Sequence, residues 1–254
     1  MDMAFCPVTQ PECLDIVTQG LRRGRGGWIV TANLDHLRRS TMDTAYARAV
    51  AEADLVVADG MPLIWASWLR GTPLPERMTG ADLIWSLSEA LAAEGRSIFL
   101  LGGDPGTPDA TRQVLLSRYP GLRIAGTVCP EPGFEQNERQ MADLKRQLLS
   151  SRPDLVFVAL GCPKQEYLIQ SLRSILPRAW WMGVGISFSF VCGRVKRAPR
   201  WMRKCGMEWA YRLSQQPRRL AKRYLVHGIP FAAYLLMHSV LQPVIRRTSP
   251  GGGH

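Results

Sequence analysis

Four polar clusters follow apolar runs of the sequence, and each carries side chains or glycines that can do chemistry. They occupy residues 31–36 (TANLDH), 59–62 (DGMP), 102–106 (GGDPG) and 161–166 (GCPKQE). In open parallel sheets, ligands bind beyond the carboxyl ends of the strands. If the apolar runs form parallel strands, the four clusters meet at one sheet edge, and we expect the functional site there.

Asp59 is the candidate general base. It directly follows the apolar run 54–58, where partial desolvation would raise the pKa of its carboxyl group toward the range that suits proton abstraction. A second interpretation is equally compatible with its position. Asp is a favoured N-cap, and a helix is predicted to begin near Pro62.

The two glycine-containing turns carry weaker signals. Gly102 and Gly103 would let the backbone approach a phosphate beside a helix N-terminus, although a tight turn also explains them. The loop matches neither GxGxxG nor a P-loop. In the cluster 161–166, Gln165 or Glu166 would bond a sugar hydroxyl or a base edge, or cap the following helix.

Several familiar constellations are absent from the sequence. Asp35 and His36 follow Asn33, but no GxSxG elbow accompanies them, so a Ser-His-Asp triad is not indicated. The six cysteines form no CxxC pair and no Cys/His spacing suited to zinc. The DxD pair with which many nucleotide-sugar transferases hold a divalent cation is also missing. We therefore expect no metal and no cofactor, and cations and backbone N–H groups would have to stabilise a leaving diphosphate.

The charge of the chain is concentrated in its last quarter. Residues 194–254 contain 13 Lys or Arg and a single acidic residue, Glu208, whereas residues 1–193 hold 19 basic and 20 acidic residues. Trp201, Trp209 and Tyr211 are interleaved with the arginines. This composition is typical of a segment on an anionic membrane. A diphosphate, nucleic acid or a merely solvated helix would also fit it.

The elements that must position these residues alternate between strands and helices. Strands are predicted at 28–31, 54–58, 97–101, 122–128, 155–160 and 179–184, and helices at 11–24, 34–51, 62–70, 80–93, 107–118, 135–151 and 165–176. This alternation predicts an α/β fold, a Rossmann-like and mostly parallel sheet flanked by helices. After Gly193 we expect a basic helical C-terminal appendage, broken near Gln216 and Pro217.

Three regions are predicted from these patterns. They are an α/β catalytic domain (1–193), a basic helical appendage that docks on a membrane and closes the active site (194–225), and an apolar tail with a disordered tip (226–254). The uncharged stretch 224–245 contains two prolines and a glycine, so we favour an interfacial or re-entrant helix over a span. The N-terminal residues lack the pattern of a signal peptide, which favours a cytoplasmic protein with reduced thiols.

Taken together, the motifs resemble the WecG/TagA/CpsF glycosyltransferases. The matching residues fall in the family's order over about residues 12–225 and are individually modest. They are Thr31-x-Asn33, Ala58-Asp59-Gly60-Met61-Pro62, Leu74-Pro75-Glu76-Arg77-x-x-Gly80-x-Asp82, Leu101-Gly102-Gly103, Gly161-x-Pro163-Lys164-Gln165-Glu166, Arg197-Ala198-Pro199, Glu208-Trp209 and Tyr211-Arg212.

The resemblance implies an inverting, metal-independent transfer of a sugar from a UDP-sugar to a lipid-diphosphate-linked saccharide. This reaction serves bacterial cell-surface polysaccharide synthesis at the cytoplasmic face of the plasma membrane, with the enzyme bound peripherally. The donors that the family implies are UDP-N-acetylmannosamine or its uronic acid, another UDP-N-acetylhexosamine, and UDP-glucose. The acceptor would be polyprenyl-diphosphate-linked, and the remaining partner an anionic membrane surface, without nucleic acid.

The resemblance also implies roles for residues. Asp59 would be the catalytic base. The substrate-binding residues would be Thr31, Asn33, Arg77, Gly102, Gly103, Gln165 and Glu166, and the diphosphate-binding residues of the appendage would be Arg212, Arg219, Lys222 and Arg223. Many members carry Asp where this chain has Ser189, which puts one nucleotide contact in doubt.

Two other functions remain alternatives on the sequence alone. A nucleotide- or nucleic-acid-binding α/β protein would grip phosphates with the basic tail, and its binding would weaken steeply with salt. An oxidoreductase using the loop 102–106 is disfavoured, since no acidic residue follows it about 20 residues later at a clear strand end. The sequence does not specify the donor sugar, the acceptor glycan or linkage, or the oligomeric state.

Overall fold

The computed structural model describes residues 3–241, except for the side chains of Lys204 and Arg219. The Arg219 side chain, predicted to bind diphosphate, therefore lies outside the described residues. The same holds for the predicted disordered tip and for residues 242–245 of the apolar stretch.

Six strands form one wholly parallel sheet, which confirms the predicted α/β class. They are β1 (Gly27–Ala32), β2 (Leu55–Ala58), β3 (Ser97–Gly102), β4 (Arg123–Val128), β5 (Leu155–Ala159) and β6 (Trp180–Gly183), in the spatial order β2-β1-β6-β5-β3-β4. Register pairs such as Thr31 with Val57 and Phe157 with Met182 align neighbouring strands.

Five of the six strands are mostly apolar and almost wholly buried because helices cover both faces of the sheet, whereas the edge strand β4 is only partly buried. Alternate residues such as Ile29 and Val57 pack under one helical layer, and their neighbours Val30 and Val56 pack under the other. This double burial explains why continuous apolar runs, and not alternating ones, marked the strands in the sequence.

Nine helices accompany the strands as far as Val191. They are α1 (Gln10–Arg22), α2 (Leu34–Met42), α3 (Thr44–Ala51), α4 (Met61–Leu69), α5 (Gly80–Ala93), α6 (Thr107–Arg118), α7 (Glu138–Ser151), α8 (Lys164–Leu172) and α9 (Ser187–Val191). The prediction of one helix over 34–51 was wrong. Asp43 leaves the helical conformation (φ −129°, ψ 100°), and its carboxylate accepts a bond from the Tyr46 amide, capping a new helix.

The order of the strands creates a crevice at their carboxyl ends. Strands β1 and β6 are neighbours, but the loop after β1 leads to helices on one face of the sheet and the loop after β6 leads to α9 on the other face. Loops that leave in opposite directions open a gap at such a point, and ligands of doubly wound sheets bind there. The cluster beginning at residue 31 borders this gap, and the cluster beginning at residue 59 follows the adjacent strand β2.

The chain after Gly193 is helical, as predicted, and breaks at Gln216. It forms α10 (Arg200–Lys204), α11 (Glu208–Gln215), α12 (Pro217–Ala221), a π-helical stretch (Lys222–Gly228) and α13 (Ile229–Leu241). Leu235 of α13 packs with Leu37 and Leu63 of α2 and α4. By length and composition alone, Lys222–Leu241 is one helix that is long and apolar enough to cross a membrane.

Candidate active site

Asp59 lies at the crevice, where strand β2 ends. Its backbone N–H donates to the Ala32 carbonyl at 2.7 Å, which ties the end of β2 to the end of β1. The N-cap of α4 is Gly60, and no side chain caps this helix. Asp59 therefore does not act as the cap. Within residues 3–241, no hydrogen bond engages its carboxylate, which leaves both oxygens available to a ligand.

The surroundings of Asp59 tune its basicity. Burial raises the pKa of the Asp59 carboxyl to about 6, and the charge of the Glu208 carboxylate adds to the rise. The charges of Arg77, His36 and Arg197 act in the opposite direction and lower this pKa. A carboxyl group with this pKa is ionised at pH 7 but is a stronger base than an exposed aspartate. The raised pKa agrees with the expected effect of burial after strand β2, and the role of Asp59 as a base stays a prediction.

A set of ion pairs fastens the basic segment to the core beside Asp59. The Arg197 guanidinium donates to both oxygens of Asp82 at 2.5 and 2.8 Å and to the Thr79 hydroxyl at 3.0 Å. Burial alone would raise the pKa of Asp82, but the hydrogen bonds from Arg197 and Thr79 and the charges of Arg197 and Arg203 lower it. Asp82 is therefore ionised, and the bidentate pair is of the strong kind.

Glu208 completes this arrangement, which we call the clamp: Arg77, Asp82, Arg197 and Glu208. One carboxylate oxygen of Glu208 lies 3.4 Å from Nε of Arg197, and the other lies 3.5 Å from Nη1 of Arg77. Glu208 begins α11, whereas Arg77 precedes α5. The clamp therefore links the segment after Gly193 to the loop that carries a predicted substrate-binding arginine.

An arginine-lined cavity of about 370 Å³ opens next to the clamp, and its lining consists of Met61, Arg77, Arg200 and Arg203. Met61 is the first residue of α4, two positions after Asp59. Arg203 lies 3.5 Å from Asp82, so its position is also set by the clamp. Guanidinium forks match phosphate oxygens in geometry and charge, so this cavity is suited to a phosphorylated ligand.

Thr31 and Asn33 lie at the end of β1, on the other side of the crevice from α8. Thr31 is buried beside Gly80, where a Cβ would lie 3.3 Å from the Thr31 hydroxyl oxygen. The side-chain oxygen Oδ1 of Asn33 caps α2 by accepting hydrogen bonds from the backbone amides of Asp35 and His36 at 3.0 and 3.3 Å. Because no hydrogen bond among the described residues engages its Nδ2 group, Asn33 can donate to a ligand from that end.

Gln165 and Glu166 lie at the start of α8, and both are buried, at 4% and 2% exposure. Nε2 of Gln165 donates to Glu166 at 2.7 Å, and the same carboxylate lies 3.3 Å from Nε2 of His36. The structure thus brings them near Asn33, at the base of the crevice. Neither side chain lies on its open surface.

The glycine loop after β3 lies apart from the other clusters. Strand β3 is three positions from β1 in the sheet, which corresponds to roughly 14 Å. Gly103 has φ +86°, and a Cβ there would lie 2.5 Å from the Thr107 hydroxyl oxygen, so the turn requires glycine. The Gly103 N–H donates to the Ala159 carbonyl at 2.7 Å. A phosphate contact of Gly102 or Gly103 stays a prediction.

The predicted diphosphate-binding residues of the appendage are spread along it. Arg212 lies over the Phe190 ring, with 5.9 Å between the guanidinium carbon and the ring centroid. Arg223 pairs with Asp35 at 3.2 Å, at the start of α2. Lys222 is exposed and forms no ion pair with the residues that the structure describes. Arg212 and Arg223 therefore border the core, at α9 and α2 respectively.

One buried group has the composition of a metal site. Ligand atoms of His36, Cys162 and Glu166 lie within 4.8 Å of one another. Burial, followed by the charge of Glu166, raises the pKa of the Cys162 thiol to about 12, and Sγ lies 3.4 Å from the Tyr46 hydroxyl. A thiol with this pKa is neutral at pH 7, and His36 already faces Glu166. These contacts describe a hydrogen-bonded cluster.

Comparison with known proteins agrees with this geometry. The sequence profile of the "Glycosyl transferase WecG/TagA/CpsF family" matches residues 1–244. The chain belongs to this family. It is 34% identical over 202 residues to the N-acetylglucosaminyldiphosphoundecaprenol N-acetyl-beta-D-mannosaminyltransferase of Bacillus spizizenii, covering 80% of this chain and 76% of that protein. The protein of the same description in Bacillus subtilis is 32% identical over 192 residues, covering 76% of this chain and 73% of that protein.

The chain is therefore a glycosyltransferase, as the motifs implied. Family membership favours this assignment over the nucleic-acid-binding alternative that the basic segment left open. It also gives a context to the free carboxylate and the arginine-lined cavity, because sugar transfer requires a base and a means of stabilising a leaving phosphate.

Several residues of the candidate site were not identified as site residues from the sequence. They are His36, Asp82, Arg197, Arg200, Arg203 and Glu208. For Glu208 a signal existed, since it is the only acidic residue between Arg194 and His254. A lone carboxylate within a basic segment has many possible cationic partners, and its isolation could have indicated a structural or catalytic task.

We predict that the Asp59 carboxyl titrates near pH 6 in the folded enzyme. Glu208→Gln should lower this midpoint, because the Glu208 charge raises the pKa of Asp59. Carbon-13 NMR titration of the aspartate carboxyl groups in both proteins measures it directly. Glu94→Gln, which removes an exposed pairing with Arg22, is the control and should leave the midpoint unchanged. An Asp59 midpoint near the ordinary aspartate value of about 3.9 would contradict the prediction.

Proposed function

We propose that this glycosyltransferase moves a sugar, with inversion and without a metal, from a UDP-sugar to a lipid-diphosphate-linked saccharide. The favoured donor is UDP-N-acetylmannosamine, and the favoured acceptor is N-acetylglucosaminyl diphosphate on a polyprenyl chain. The reaction would serve cell-surface polysaccharide synthesis at the cytoplasmic face of the plasma membrane. The observation that carries the proposal is the Asp59 carboxylate, which accepts no hydrogen bond from the described part of the chain and lies two residues before Met61 of an arginine-lined cavity.

Asp59 is the catalytic base in this proposal. It accepts the proton of the acceptor hydroxyl while that oxygen forms a bond to the anomeric carbon of the donor. The bond between the anomeric carbon and the UDP oxygen breaks, and UDP leaves with the electron pair. Because attack and departure occur on opposite faces of the sugar, one displacement inverts the anomeric centre. A pKa of about 6 supports this role, since the base is ionised at neutral pH.

The leaving diphosphate is stabilised by guanidinium groups in this proposal. Arg77, Arg200 and Arg203 line one cavity together with Met61, the first residue of α4. Three cations around a single cavity supply the charge that a divalent metal supplies in other transferases. Arg212 and Lys222 extend the positive surface along the appendage and would meet the acceptor diphosphate.

The names of the relatives guide the choice of substrates. Both are described as N-acetylmannosaminyltransferases that act on N-acetylglucosaminyldiphosphoundecaprenol. An identity of 34% and 32% favours the same reaction class for this chain. UDP-glucose and other UDP-N-acetylhexosamines are the competing donors, and a substrate panel separates them.

Two groups of exposed apolar side chains would contact the membrane surface, one on the basic segment and one on α4 and α13. Trp201 and Trp209 of the basic segment are 61% and 39% exposed. Trp68 of α4 and Met237 of α13 are 56% and 62% exposed, on helices that pack against each other. Large apolar side chains beside arginines are suited to insertion between anionic head groups. We propose that α4, α13 and the basic segment together form the membrane-docking surface.

We predict transfer of N-acetylmannosamine from its UDP derivative to a short-chain lipid-linked N-acetylglucosaminyl diphosphate. Incubation of the full chain with a panel of UDP-sugars, followed by mass spectrometry of the lipid product, measures the reaction. Excess EDTA should leave the rate within about twofold, because the guanidinium groups replace a metal. Transfer of glucose alone would overturn the donor assignment. Strong inhibition by EDTA would overturn the metal-free mechanism.

We predict that Asp59→Asn lowers kcat by a factor of at least about 100, since removal of a general base costs 10² to 10⁴ in rate. Binding of UDP, measured by calorimetry, should remain within about threefold because Asp59 acts on the acceptor. Asp143→Asn, at an exposed position of α7, is the matched control and should keep full activity. Near-normal turnover of Asp59→Asn would exclude it as the base.

We predict that the full chain binds vesicles with anionic lipid more tightly than neutral vesicles, and less tightly as salt rises. Replacement of both Trp68 and Met237 by Ser should weaken binding about tenfold or more, because each buries apolar area in the bilayer. Leu149→Ser changes a similarly exposed residue of α7 and serves as the control. Equal loss in the control would exclude α4 and α13 as the docking surface.

A further inference from the structure

A chain of buried polar contacts crosses the base of the crevice and joins the ends of three strands. It begins at Asn33 after β1, passes through His36 and Glu166, and ends at Gln165, whose partners follow β5 and β6. Its only link to Asp59 described above is the charge of His36, which lowers the pKa of that carboxyl. Its other members play no part in the account of Asp59 or of the arginine-lined cavity.

The contacts are continuous from one end to the other. Nδ1 of His36 lies 2.9 Å from Oδ1 of Asn33, and Nε2 of the same ring lies 3.3 Å from Oε1 of Glu166. That oxygen accepts from Nε2 of Gln165 at 2.7 Å. The side-chain oxygen Oε1 of Gln165 then accepts hydrogen bonds from the backbone amides of Gly161 at 3.2 Å and Gly185 at 3.1 Å.

The contacts fix the orientation of both amide side chains. Gln165 donates from one end and accepts two backbone N–H groups at the other, so a flip of its amide would break all three bonds. A Cβ at Gly183 would overlap the Gln165 side chain, which shows how closely the amide packs under β6. At the other end, Oδ1 of Asn33 accepts from the amides of α2, and Nδ1 of His36 lies against both this oxygen and the Asn33 backbone N–H. This arrangement leaves Nδ2 of Asn33 for a ligand.

The centre of the chain is deeply buried. His36 is 4% exposed and Glu166 is 2% exposed. Burial alone would raise the pKa of Glu166, but the hydrogen bond and charge of His36 and the Gln165 amide lower it. Oε2 of Glu166 has no hydrogen-bond partner among the described residues. A buried charge with one unsatisfied oxygen is costly, and networks of this kind are retained for what they position.

We propose that His36 and Glu166 are positioning residues that fix the Asn33 amide and, through Gln165, the loops after β5 and β6. In this assignment Glu166 does not touch substrate, and Gln165 acts mainly through Gly161 and Gly185. The network sets the floor of the crevice on which the acceptor and donor are aligned with Asp59. The kinetic part of the test rests on the proposed function, whereas the structural part does not.

The structural test uses amide hydrogen exchange in His36→Gln, Glu166→Gln and the double variant. We expect faster exchange at Gly161 and Gly185 in each, because the bond from Gln165 to residue 166, which orients their acceptor, is weakened when the carboxylate charge or its His36 contact is removed. Tyr46→Phe is the matched control. It removes a hydroxyl of the same buried cluster that contacts Cys162 and neither amide end, and it should leave both glycines protected. Unchanged exchange in Glu166→Gln would overturn the proposal, even if the wild-type chain transferred no sugar.

The kinetic test separates positioning from simple stability. We expect kcat to fall by about 10- to 100-fold in each single variant, with the donor KM within about threefold, since small misplacements cost this much. The kcat of the double variant should be no lower than that of the less active single variant, because either substitution alone already breaks the same network. Tyr46→Phe should stay within about twofold of the wild type.

Two kinetic or folding results would contradict the proposal. Additive losses in the double variant would mean that His36 and Glu166 act separately. Glu166→Gln preserves shape and an acceptor oxygen, so it should fold. If it fails to fold, as judged by thermal melting, the pair holds the fold and does not serve the site. Full activity of a folded Glu166→Gln chain would also overturn the proposal that Glu166 is a positioning residue.

Discussion

The bidentate pairing of Arg197 with Asp82 is the interaction on which the assembled site depends. It is the point where a segment with a large excess of positive charge is held against a core that is nearly neutral. Without it, Glu208 would lose one of its two cationic partners, and Arg203 would lose a neighbour that places it in the cavity. Like charges repel, so the arginines converge only because Asp82 and Glu208 lie between them.

Two polar assemblies act near Asp59, and they have different effects. The clamp supplies ionised groups whose fields oppose the burial of its carboxylate, with Glu208 acting in the other direction. The network of His36, Glu166 and Gln165 cross-links strand ends that are far apart in sequence. Both assemblies join elements that the parallel sheet brings to one edge. A site with this composition needs the sheet order β2-β1-β6-β5 to exist at all.

Much of the fold was predictable because the strands are buried on both faces and read as unbroken apolar runs. The helix over 34–51 was the main error, since Asp43 caps a new helix inside a stretch of good helix formers. Asp59 was predictable from its place after a strand, but the choice between base and cap needed the conformation of Gly60. The contacts of Glu208 with Arg77 and of His36 with Glu166 each join residues more than 100 positions apart in sequence, so no local pattern could reveal them.

The central claim is that the clamp holds the basic segment in place over Asp59, and Asp82→Asn tests it most directly. The substitution keeps the shape of the side chain and the Thr79 contact but removes the charge that binds Arg197. The sugar transfer rate should fall at least about tenfold, while the melting temperature of the sheet changes by no more than a few degrees. Full activity of the Asp82→Asn enzyme would contradict the account, because the segment would then be held without the clamp.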